Sequence, residues 1–287
     1  MKILVLGITG MLGSAVFKAL CETKQFHVWG SQRGNTPHPK LAGFQASGIL
    51  TGLDALDQDS LVNAFATVKP EVVINCVGLI KQLGHANDPL VALPINAMLP
   101  HRLARLCSLA GARLVHISTD CVFNGRKGNY LESDPSDAED LYGRSKYIGE
   151  LHDSSSAITL RTSIIGHELG TSFALLEWFL AQQGSVKGFS KAIFSGVPTC
   201  ELARVIIEYV LPKPQLHGLY HVAAEPISKL NLLQLVAKEY GVQTTINPDS
   251  GLVIDRSLCA ERFQQASGYT APKWPDLIQK MRQSRIQ

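Results

Sequence analysis

The amino-acid sequence predicts an α/β fold, in which a doubly wound parallel sheet is covered by helices on both faces. Over the first two-thirds of the 287 residues, short apolar runs alternate with longer amphipathic stretches. Residues 72–77 and 114–117 are apolar almost without interruption, which is typical of strands buried on both faces. Strands that alternate with helices imply crossover connections between parallel neighbours.

The regular alternation extends to about residue 161. Strands are expected at residues 3–6, 27–30, 72–76, 114–118 and 158–161, and helices near residues 11–23, 58–68, 91–110, 141–152 and 173–183. Further along, helices are expected near residues 200–211, 229–240 and 273–283, with short strands at residues 219–223 and 253–255. We therefore expect a first domain over residues 1–162 and a smaller lobe over residues 163–287. Such a lobe often lends elements back to the first sheet.

Composition excludes several classes of protein. The chain carries 27 Lys and Arg against 24 Asp and Glu, a net charge of +3, which gives no reason to expect nucleic acid or an acidic membrane as a partner. Its six cysteines form no C-x-x-C pair, and none has a metal-ligating neighbour at zinc spacing. Residues 1–7 contain only four consecutive apolar residues, too few for a signal peptide, and no stretch has the length of a membrane helix. These features predict a cytoplasmic protein with reduced thiols and no metal site.

A glycine-rich turn follows the first predicted strand, where residues 7–13 read GITGMLG. Gly7 permits the tight turn, Gly10 lets the backbone approach a pyrophosphate, and Gly13 lets the helix pack closely on the strand. The first N–H groups of the helix then present a partial positive charge to the phosphates. The pattern predicts a dinucleotide site in a Rossmann-type fold, with a purely structural turn as the alternative.

The residues after the second predicted strand bear on the choice of cofactor. A carboxylate there would bind the ribose 2′-hydroxyl of NAD, but residues 28–34 contain none. They contain Arg33, close to Ser31, and an Arg at this place suits a 2′-phosphate. We therefore expect NADP, used as NADPH, with NAD as the second choice. The alternative is that Arg33 is a solvated surface residue.

A hydroxyl, a phenol and an ammonium group form the candidate catalytic set. Tyr142 and Lys146 are four residues apart, which places both side chains on one face of a helix. A nearby Lys⁺ favours the phenolate and is expected to lower the pKa of Tyr142 from ~10 toward neutrality. A phenol tuned in this way can donate a proton to a developing alkoxide. Thr119 falls at the end of the preceding strand, where ligands of doubly wound sheets bind, and could donate a hydrogen bond to the same oxygen.

Four segments form a recognisable set of motifs: residues 7–13 (GITGMLG), 118–125 (STDCVFNG), 142–146 (YGRSK) with 149–150 (GE), and 160–163 (LRTS). In these motifs the chain resembles the extended short-chain dehydrogenase/reductases, and more closely the dTDP-4-dehydrorhamnose reductase family. The resemblance is firm over about residues 1–165 and looser beyond. It implies a Rossmann fold, NAD(P)H, and reduction of the 4-keto group of a nucleotide-linked deoxysugar.

The resemblance also implies residue roles. Tyr142 would be the acid, Lys146 would tune it and anchor the ribose, and Thr119 would donate a hydrogen bond to the carbonyl. With the motifs above, the expected cofactor contacts are Gly7, Thr9, Gly10, Met11, Leu12, Gly13, Arg33, Asp54, Ala55, Cys76, Val77, Gly78, Asn96, Tyr142 and Lys146. Three of these have alternatives: Asp54 and Asn96 as helix caps, and Cys76 as a plain core thiol.

The expected substrate contacts are Lys81, Thr119, Asp120, Cys121 and Thr199. Lys81 could meet a substrate phosphate or be solvated, and Thr199 could contact the nucleotide or cap a helix. The family usually has an aromatic residue where Cys121 stands, and another after residues 161–163, where this chain has Ile164. The hydride chemistry is therefore better supported than the identity of the sugar.

We expect an NADPH-dependent 4-ketoreductase of a nucleotide-activated deoxysugar, with the nucleotide sugar as its partner; a homodimer is compatible with this reading. One alternative is a nucleotide-sugar epimerase or dehydratase. In the related dehydratases the Thr-Asp pair is followed by a Glu base, and the thiol of Cys121, with an ordinary pKa of ~8.5, is a poor substitute. A second alternative is a non-catalytic binder that resembles the regulatory β subunit of methionine adenosyltransferase.

Overall fold

A seven-stranded parallel sheet forms the centre of the computed structural model, which describes residues 1–79 and 87–286. In chain order its strands are β1 (Lys2–Leu6), β2 (His27–Ser31), β3 (Gly48–Leu50), β4 (Val72–Asn75), β5 (Arg113–Thr119), β6 (Ala157–Thr162) and β11 (Gly218–His221). In space they follow the order β3-β2-β1-β4-β5-β6-β11, and each neighbouring pair is parallel. The predicted doubly wound sheet is confirmed, and the strand order reverses between β1 and β4.

Shorter strands and the helices complete the described chain. The other strands are β7 (Ile164–Ile165), β8 (Ser185–Phe189), β9 (Ala192–Phe194), β10 (Val197–Pro198), β12 (Ile227–Ser228), β13 (Thr245–Asp249) and β14 (Ile254–Asp255). The helices are α1 (Met11–Thr23), α2 (Gln58–Val68), α3 (Pro89–Ala92), α4 (Leu99–Ala110), α5 (Leu141–Ile148), α6 (Leu175–Leu180), α7 (Thr199–Val205), α8 (Lys229–Tyr240), α9 (Glu261–Ser267) and α10 (Trp274–Gln283). Of the helices in residues 1–79 and 87–286, none has both the length and the apolar character that a bilayer crossing requires.

The central sheet is buried on both faces. Successive residues of β1 point into different apolar clusters: Ile3 and Val5 join the cluster that includes side chains of α1, α7, α8 and α10, while Leu4 and Leu6 join the cluster of α2 and α4. Because both faces are covered, there is no solvent-facing side to demand polar residues. This explains why the sequence shows nearly continuous apolar runs in place of strict alternation.

Several elements differ from the sequence expectation; for example, the helix expected over residues 200–211 is α7 followed by a π-helical segment at Ile206–Val210, and two further differences lie close to the site. The strand β3 was not among the predicted strands, because its three residues carry no pattern of their own; it pairs with β2, where Gly48 lies opposite Trp29. The expected helix over residues 91–110 is divided. It comprises α3, a π-helical segment at Leu93–Met98 and α4, and π-helical turns often mark functional positions.

The chain after residue 162 contributes to two places. It forms the small sheets β10-β7, β12-β9-β14 and β13-β8, and it returns β11 to the edge of the central sheet beside β6. The division at residues 162 and 163 into two domains stays a prediction, since β11 lies beyond that boundary.

A buried ion pair joins the strands next to the sheet edge. Arg161 of β6 and Glu150, just after α5, are 1% and 3% exposed. The Arg161 Nε and Nη2 atoms donate to the two carboxylate oxygens of Glu150 at 2.9 and 2.6 Å. Ser118 of β5 donates its hydroxyl to the same carboxylate at 2.6 Å. Arg161 Nη1 lies 2.9 Å from Nε2 of His221 on β11, so the pair connects three strands and a helix.

The protonation states in this network follow from its geometry. Nδ1 of His221 faces the carbonyl oxygens of Tyr130 and Cys259 at 3.1 and 3.2 Å, so Nδ1 carries the proton and Nε2 accepts from Arg161. Burial and the Arg161 charge hold the pKa of His221 down to about 3. Burial works to raise the pKa of Glu150, but hydrogen bonds from His152 and Arg161 and the charge of Arg161 lower it to about 2.

Replacing Arg161 by Met should destabilise the fold strongly, because the Glu150 carboxylate would stay buried without its partner. The expected loss in the free energy of unfolding is about 3–5 kcal/mol, the usual cost of breaking a buried pair. Urea denaturation followed by circular dichroism measures it. As a control, Arg126→Met breaks the exposed pair with Glu139 and should cost less than about 1 kcal/mol.

The pH dependence provides a second readout. Glu150 has a folded pKa of about 2 against roughly 4.3 in an unfolded chain, so its stabilising contribution is complete above that unfolded value. It is lost as the pH falls through the folded value. Wild-type stability should therefore fall between about pH 4 and pH 2, and Glu150→Gln should show a shallower fall. A variant with the same slope as wild type would contradict the assignment.

Candidate functional site

The turn after β1 has the geometry of a phosphate-binding loop. Gly7 has a φ of +81°, which strongly favours glycine. A Cβ atom on Gly13 would lie 2.0 Å from the Gly7 carbonyl oxygen, so α1 packs directly on the strand end. A Cβ on Gly10 would meet the Gly7 oxygen at 3.5 Å, an ordinary contact. The backbone at Gly10 is thus open for a ligand to approach, as the motif requires.

The start of α1 is uncapped by side chains. Its N-cap residue is Gly10, which offers no side-chain hydrogen bond to the first turn, and Thr9 and Gly10 are exposed. The first turn, which contains Met11 and Leu12, therefore has its N–H groups available to an anion at the positive end of the helix. This arrangement fits the pyrophosphate of a dinucleotide.

The segment after β2 lies beside the glycine turn. The Ser31 carbonyl accepts hydrogen bonds from the N–H groups of Gly7 and Ile8 at 3.1 and 3.0 Å, so the two segments share one edge of the sheet. Arg33 lies two residues beyond Ser31 and is exposed. Its contact with the adenosine ribose or its phosphate stays a prediction.

The turn after β3 is also exposed at this edge. Asp54 is exposed and accepts the Leu56 N–H at 2.9 Å, while the neighbouring Ala55 is buried. The cap of α2 is Asp57, whose carboxylate accepts the Ser60 N–H at 2.9 Å. The alternative in which Asp54 caps the helix is therefore wrong. Its contact with the adenine edge stays a prediction.

The segment after β4 lies against the π-helical turn. The Asn96 side chain is 1% exposed; its Oδ1 accepts the Leu79 N–H at 3.0 Å and its Nδ2 donates to Ser145 Oγ at 3.2 Å. Asn96 lies inside Leu93–Met98, so the helix-cap alternative is wrong for this residue too. It joins the end of β4 to α5, and its buried contacts show why a residue of this type is needed there.

Lys146 lies next to the segment that follows β4. It is 6% exposed, and its Nζ donates to the Ile117 carbonyl at 2.7 Å. A Cβ on Gly78 would make ordinary contacts with Asn96 Oδ1 at 3.6 Å and with Lys146 Nζ at 4.0 Å, so the exposed Gly78 lies next to the ammonium group. Burial lowers the pKa of Lys146 to about 8, while Glu150 and Cys76 oppose the change. Burial raises the pKa of Cys76 to about 12, so the thiol is neutral beside Val77.

The end of β5 brings Thr119 to Tyr142. The Thr119 hydroxyl donates to Asp120 Oδ1 at 3.1 Å and accepts the Cys121 N–H at 3.1 Å, and it lies close enough to the Tyr142 phenol to lower the pKa of that group. A Cβ on Gly143 would lie 2.2 Å from the Cys121 carbonyl oxygen. Glycine at this position therefore lets α5 pack closely against the strand end, which brings the Tyr142 phenol beside Thr119. The sequence predicted this pair, and the structure brings it together.

The prediction that Lys146 lowers the pKa of Tyr142 is wrong for this protein without cofactor. Burial raises that pKa above its ordinary value, and the charges of Cys121, Asp120 and Asp140 raise it further, against the hydrogen bond from Thr119. Desolvation disfavours the phenolate, and the Lys146 ammonium is engaged with a carbonyl. Tyr142 therefore keeps its proton at neutral pH.

Two basic residues of the C-terminal part, Arg256 and Lys229, act on Asp120 and its neighbours. Arg256 donates through Nε to the Phe123 carbonyl at 2.6 Å, and its Nη1 lies 3.8 Å from Cys121 Sγ. Burial raises the pKa of Asp120, while the charges of Arg256 and Lys229 oppose it. Sequence reasoning missed both cations. They are more than 100 residues from Asp120 along the chain, and no motif connects them.

Of the two remaining substrate candidates, the structure describes Thr199 alone. Thr199 is buried, and a Cβ on Gly166 would lie 2.2 Å from its Oγ1; with Ser14 and Ala15 it lines a small cleft beside α1. Pro198 is the N-cap residue of α7, so Thr199 does not cap that helix. A contact between Thr199 and the nucleotide stays a prediction. Lys81 lies outside the described residues.

No metal site competes with this arrangement in the described part of the chain. Within residues 1–79 and 87–286, no three His, Cys, Asp or Glu side chains are grouped so that they could hold a metal ion. The site therefore consists of a phosphate-binding turn, a basic turn and a Thr–Tyr–Lys group along one edge of a parallel sheet.

Known proteins with similar sequences and structures agree with this geometry. The spore coat polysaccharide biosynthesis protein SpsK of Bacillus subtilis is 27% identical, with 99% of this chain and 98% of the relative covered. The dTDP-4-dehydrorhamnose reductase of Escherichia coli is 25% identical, with 98% and 97% covered. The solved structure of dTDP-4-dehydrorhamnose reductase from Bacillus anthracis in complex with NADP superposes with a TM-score of 0.79 at 21% identity, with 98% of each chain covered.

A family model covers nearly the whole chain. The model of the RmlD substrate binding domain matches residues 1–267, which include the glycine turn, the Thr–Tyr–Lys group and Arg256. The chain therefore belongs to the RmlD substrate-binding family, the dTDP-4-dehydrorhamnose reductase branch of the extended short-chain dehydrogenase/reductases.

Proposed function

We propose that this protein is an oxidoreductase that uses NADPH to reduce the 4-keto group of a nucleotide-activated deoxysugar. The observation that carries the proposal is the placement of Thr119, at the end of β5, beside the Tyr142 phenol, close enough to affect the pKa of that phenol, on the sheet edge that also carries the glycine turn. The relatives named dTDP-4-dehydrorhamnose reductase support the substrate class. The name of SpsK supports a place in polysaccharide biosynthesis.

The residues of the site divide the work of a carbonyl reduction. When bound, NADPH supplies the hydride. Tyr142, held neutral by its raised pKa, donates its proton to the carbonyl oxygen as negative charge develops there. The Thr119 hydroxyl, which donates to Asp120 Oδ1 in the structure, would turn to donate to the same carbonyl oxygen. Lys146, with a pKa of about 8, is mostly charged at neutral pH and would anchor the ribose of the dinucleotide.

Residues Gly7 to Gly13, Arg33, Asp54, Ala55, Asn96 and the segment from Cys76 to Gly78 would hold the dinucleotide. The structural support for this assignment is that Gly10 and Gly78 are exposed on this edge and carry no side chain that would obstruct a ligand. Arg33 is the support for NADPH over NADH. Asp120, Cys121, Arg256 and Lys229 would face the nucleotide sugar.

Direct reduction is favoured over dehydration. A dehydratase needs a base to remove the C5 proton and an acid to protonate the leaving hydroxyl. In this site Asp120 is the one carboxylate of the Thr-Asp-Cys turn, and Cys121 follows it. One carboxyl group cannot serve both proton transfers at once.

A non-catalytic binder needs neither the acid nor its orienting hydroxyl. The buried Tyr142 and Lys146 beside Thr119 would then have no use, so their presence favours an enzyme. Screening dTDP- and UDP-linked 4-keto sugars for NADPH oxidation tests this choice directly. Binding of both ligands without turnover of any sugar would favour the binder.

Tyr142→Phe should reduce turnover by about 10²- to 10⁴-fold, the usual contribution of general acid catalysis, while the cofactor still binds. The matched control is Tyr147→Phe, which makes the same change on the same helix at an exposed side chain. It should leave turnover unchanged. Lys146→Met should weaken both turnover and cofactor binding. Near-normal turnover by Tyr142→Phe would show that another group donates the proton.

Arg33→Ala should weaken NADPH binding and leave NADH binding unchanged. A charge-assisted hydrogen bond contributes about 1.5–3 kcal/mol, or roughly 10- to 100-fold in affinity. Titration of both reduced cofactors by fluorescence measures the effect. Lys40→Ala removes a charge from an exposed neighbour and should leave the preference unchanged. Equal wild-type affinities for the two cofactors would contradict the NADPH assignment.

The enzyme should consume one NADPH for each sugar reduced and release it oxidised. Incubation with catalytic NADP⁺ and a 4-hydroxy nucleotide hexose should therefore give no 4-keto-6-deoxy product, because the base for dehydration is missing. Mass spectrometry of the nucleotide sugar measures the outcome. Sustained loss of water without net cofactor turnover would instead identify a dehydratase.

A further inference from the structure

A buried glutamine follows the second strand. Gln32 is 4% exposed, while residues 33–37 after it are exposed. None of the motifs described above includes it. A buried amide requires hydrogen-bond partners, and the partners of Gln32 show what the side chain does.

The Gln32 amide closes the turn that follows it. Its Nε2 donates to the carbonyl oxygens of Gly34, at 3.2 Å, and of Thr36, and its Oε1 accepts the His38 N–H at 3.0 Å. One side chain thus binds three backbone groups of residues 34–38. The orientation of the amide is determined by its partners, because the reverse orientation would place Oε1 against two carbonyl oxygens.

The turn is also held from the neighbouring strand. The Gly52 N–H, just beyond β3, donates to the Gly34 carbonyl at 2.9 Å. The backbone N–H of Gln32 donates to the Leu50 carbonyl at 2.9 Å, and its carbonyl accepts the Leu53 N–H at 3.1 Å. Residues 33–38 therefore form a closed loop whose base is anchored to the sheet.

This loop is basic and contains Arg33. Between residues 28 and 53 the chain has no Asp or Glu, while Arg33, His38 and Lys40 all lie in or beside the loop. Arg33 is its first residue and is exposed. A guanidinium on a preformed loop loses less conformational freedom on binding an anion than one on a free loop does.

We propose that Gln32 is a specificity-determining residue: its buried amide holds residues 33–38 in the turn from which Arg33 meets the 2′-phosphate of the cofactor. This inference rests on the proposed NADPH preference. Gln32 acts through Arg33 and is a positioning residue. The adenosine 2′-phosphate is the one group that distinguishes NADP⁺ from NAD⁺. Loss of Gln32 should therefore weaken the binding of NADP⁺ and leave the binding of NAD⁺ unchanged.

The test compares the dissociation constants of NADP⁺ and NAD⁺ by calorimetric titration, with no sugar present. Gln32→Ala removes three hydrogen bonds from the loop and should lower the preference for NADP⁺ about 5- to 10-fold, with NAD⁺ affinity unchanged. Gln32→Glu places a carboxylate oxygen opposite two carbonyl oxygens and adds negative charge beside the 2′-phosphate, so its loss should be larger. Gln45→Ala, at an exposed position nearby, is the matched control and should change neither constant.

A double mutant distinguishes positioning from a general structural role. If Gln32 acts through Arg33, the double variant Gln32→Ala, Arg33→Ala should bind NADP⁺ no more weakly than Arg33→Ala alone. Thermal unfolding of each variant shows that the fold is retained. Equal losses for both dinucleotides in Gln32→Ala, or additive losses in the double variant, would overturn the proposal.

Comparing wild type with Gln32→Ala also shows whether the NADPH assignment or only the role of Gln32 is wrong. Wild-type protein without a preference for NADP⁺ would contradict the NADPH assignment and the role of Gln32 together. A wild-type preference that persists in Gln32→Ala would contradict the role of Gln32 alone.

Discussion

The buried ion pair between Glu150 and Arg161 is the contact on which the arrangement of the site depends. Two desolvated charges must remain paired, so the elements that carry them have little freedom to move apart. Glu150 follows α5, which carries Tyr142 and Lys146, and its carboxylate also accepts the hydroxyl of Ser118. Ser118 directly precedes Thr119. The pair therefore holds β5, which carries Thr119, and α5, which carries Tyr142, in a fixed relative position.

Close packing of α5 on neighbouring backbone adds to the constraint from the ion pair. A Cβ on Gly143 would collide with the Cys121 carbonyl at 2.2 Å, and one on Gly149 with the Asn96 carbonyl at 2.0 Å. The helix α5 is thus pressed against the strand end on one side and against the π-helical turn on another. Glycines in the YGRSK and GE motifs serve this close approach, and the side chains between them are placed as a consequence.

Burial decides the proton distribution of the site. Desolvation disfavours charge on both partners of the Tyr–Lys pair: it raises the pKa of Tyr142 and lowers that of Lys146 to about 8. A spacing of four residues predicts the attraction between them, but it says nothing of the water that each loses. The phenol is therefore kept protonated, which is the form that a proton donor needs. The pKa of Lys146, at about 8, is close to neutral pH.

The sequence by itself determined the local features. The parallel strands, the glycine turn and the bounds of α1 and α2 follow from apolar periodicity and from glycine placement, and the Tyr142–Lys146 spacing follows from helix geometry. Tertiary structure decided the rest: the return of β11 to the sheet, the division of the helix at residues 93–98, the approach of Arg256 to Cys121, and the closed loop at Gln32. These features depend on contacts between residues far apart in the chain, or on side-chain orientation. Neither leaves a periodic signal in one sequence.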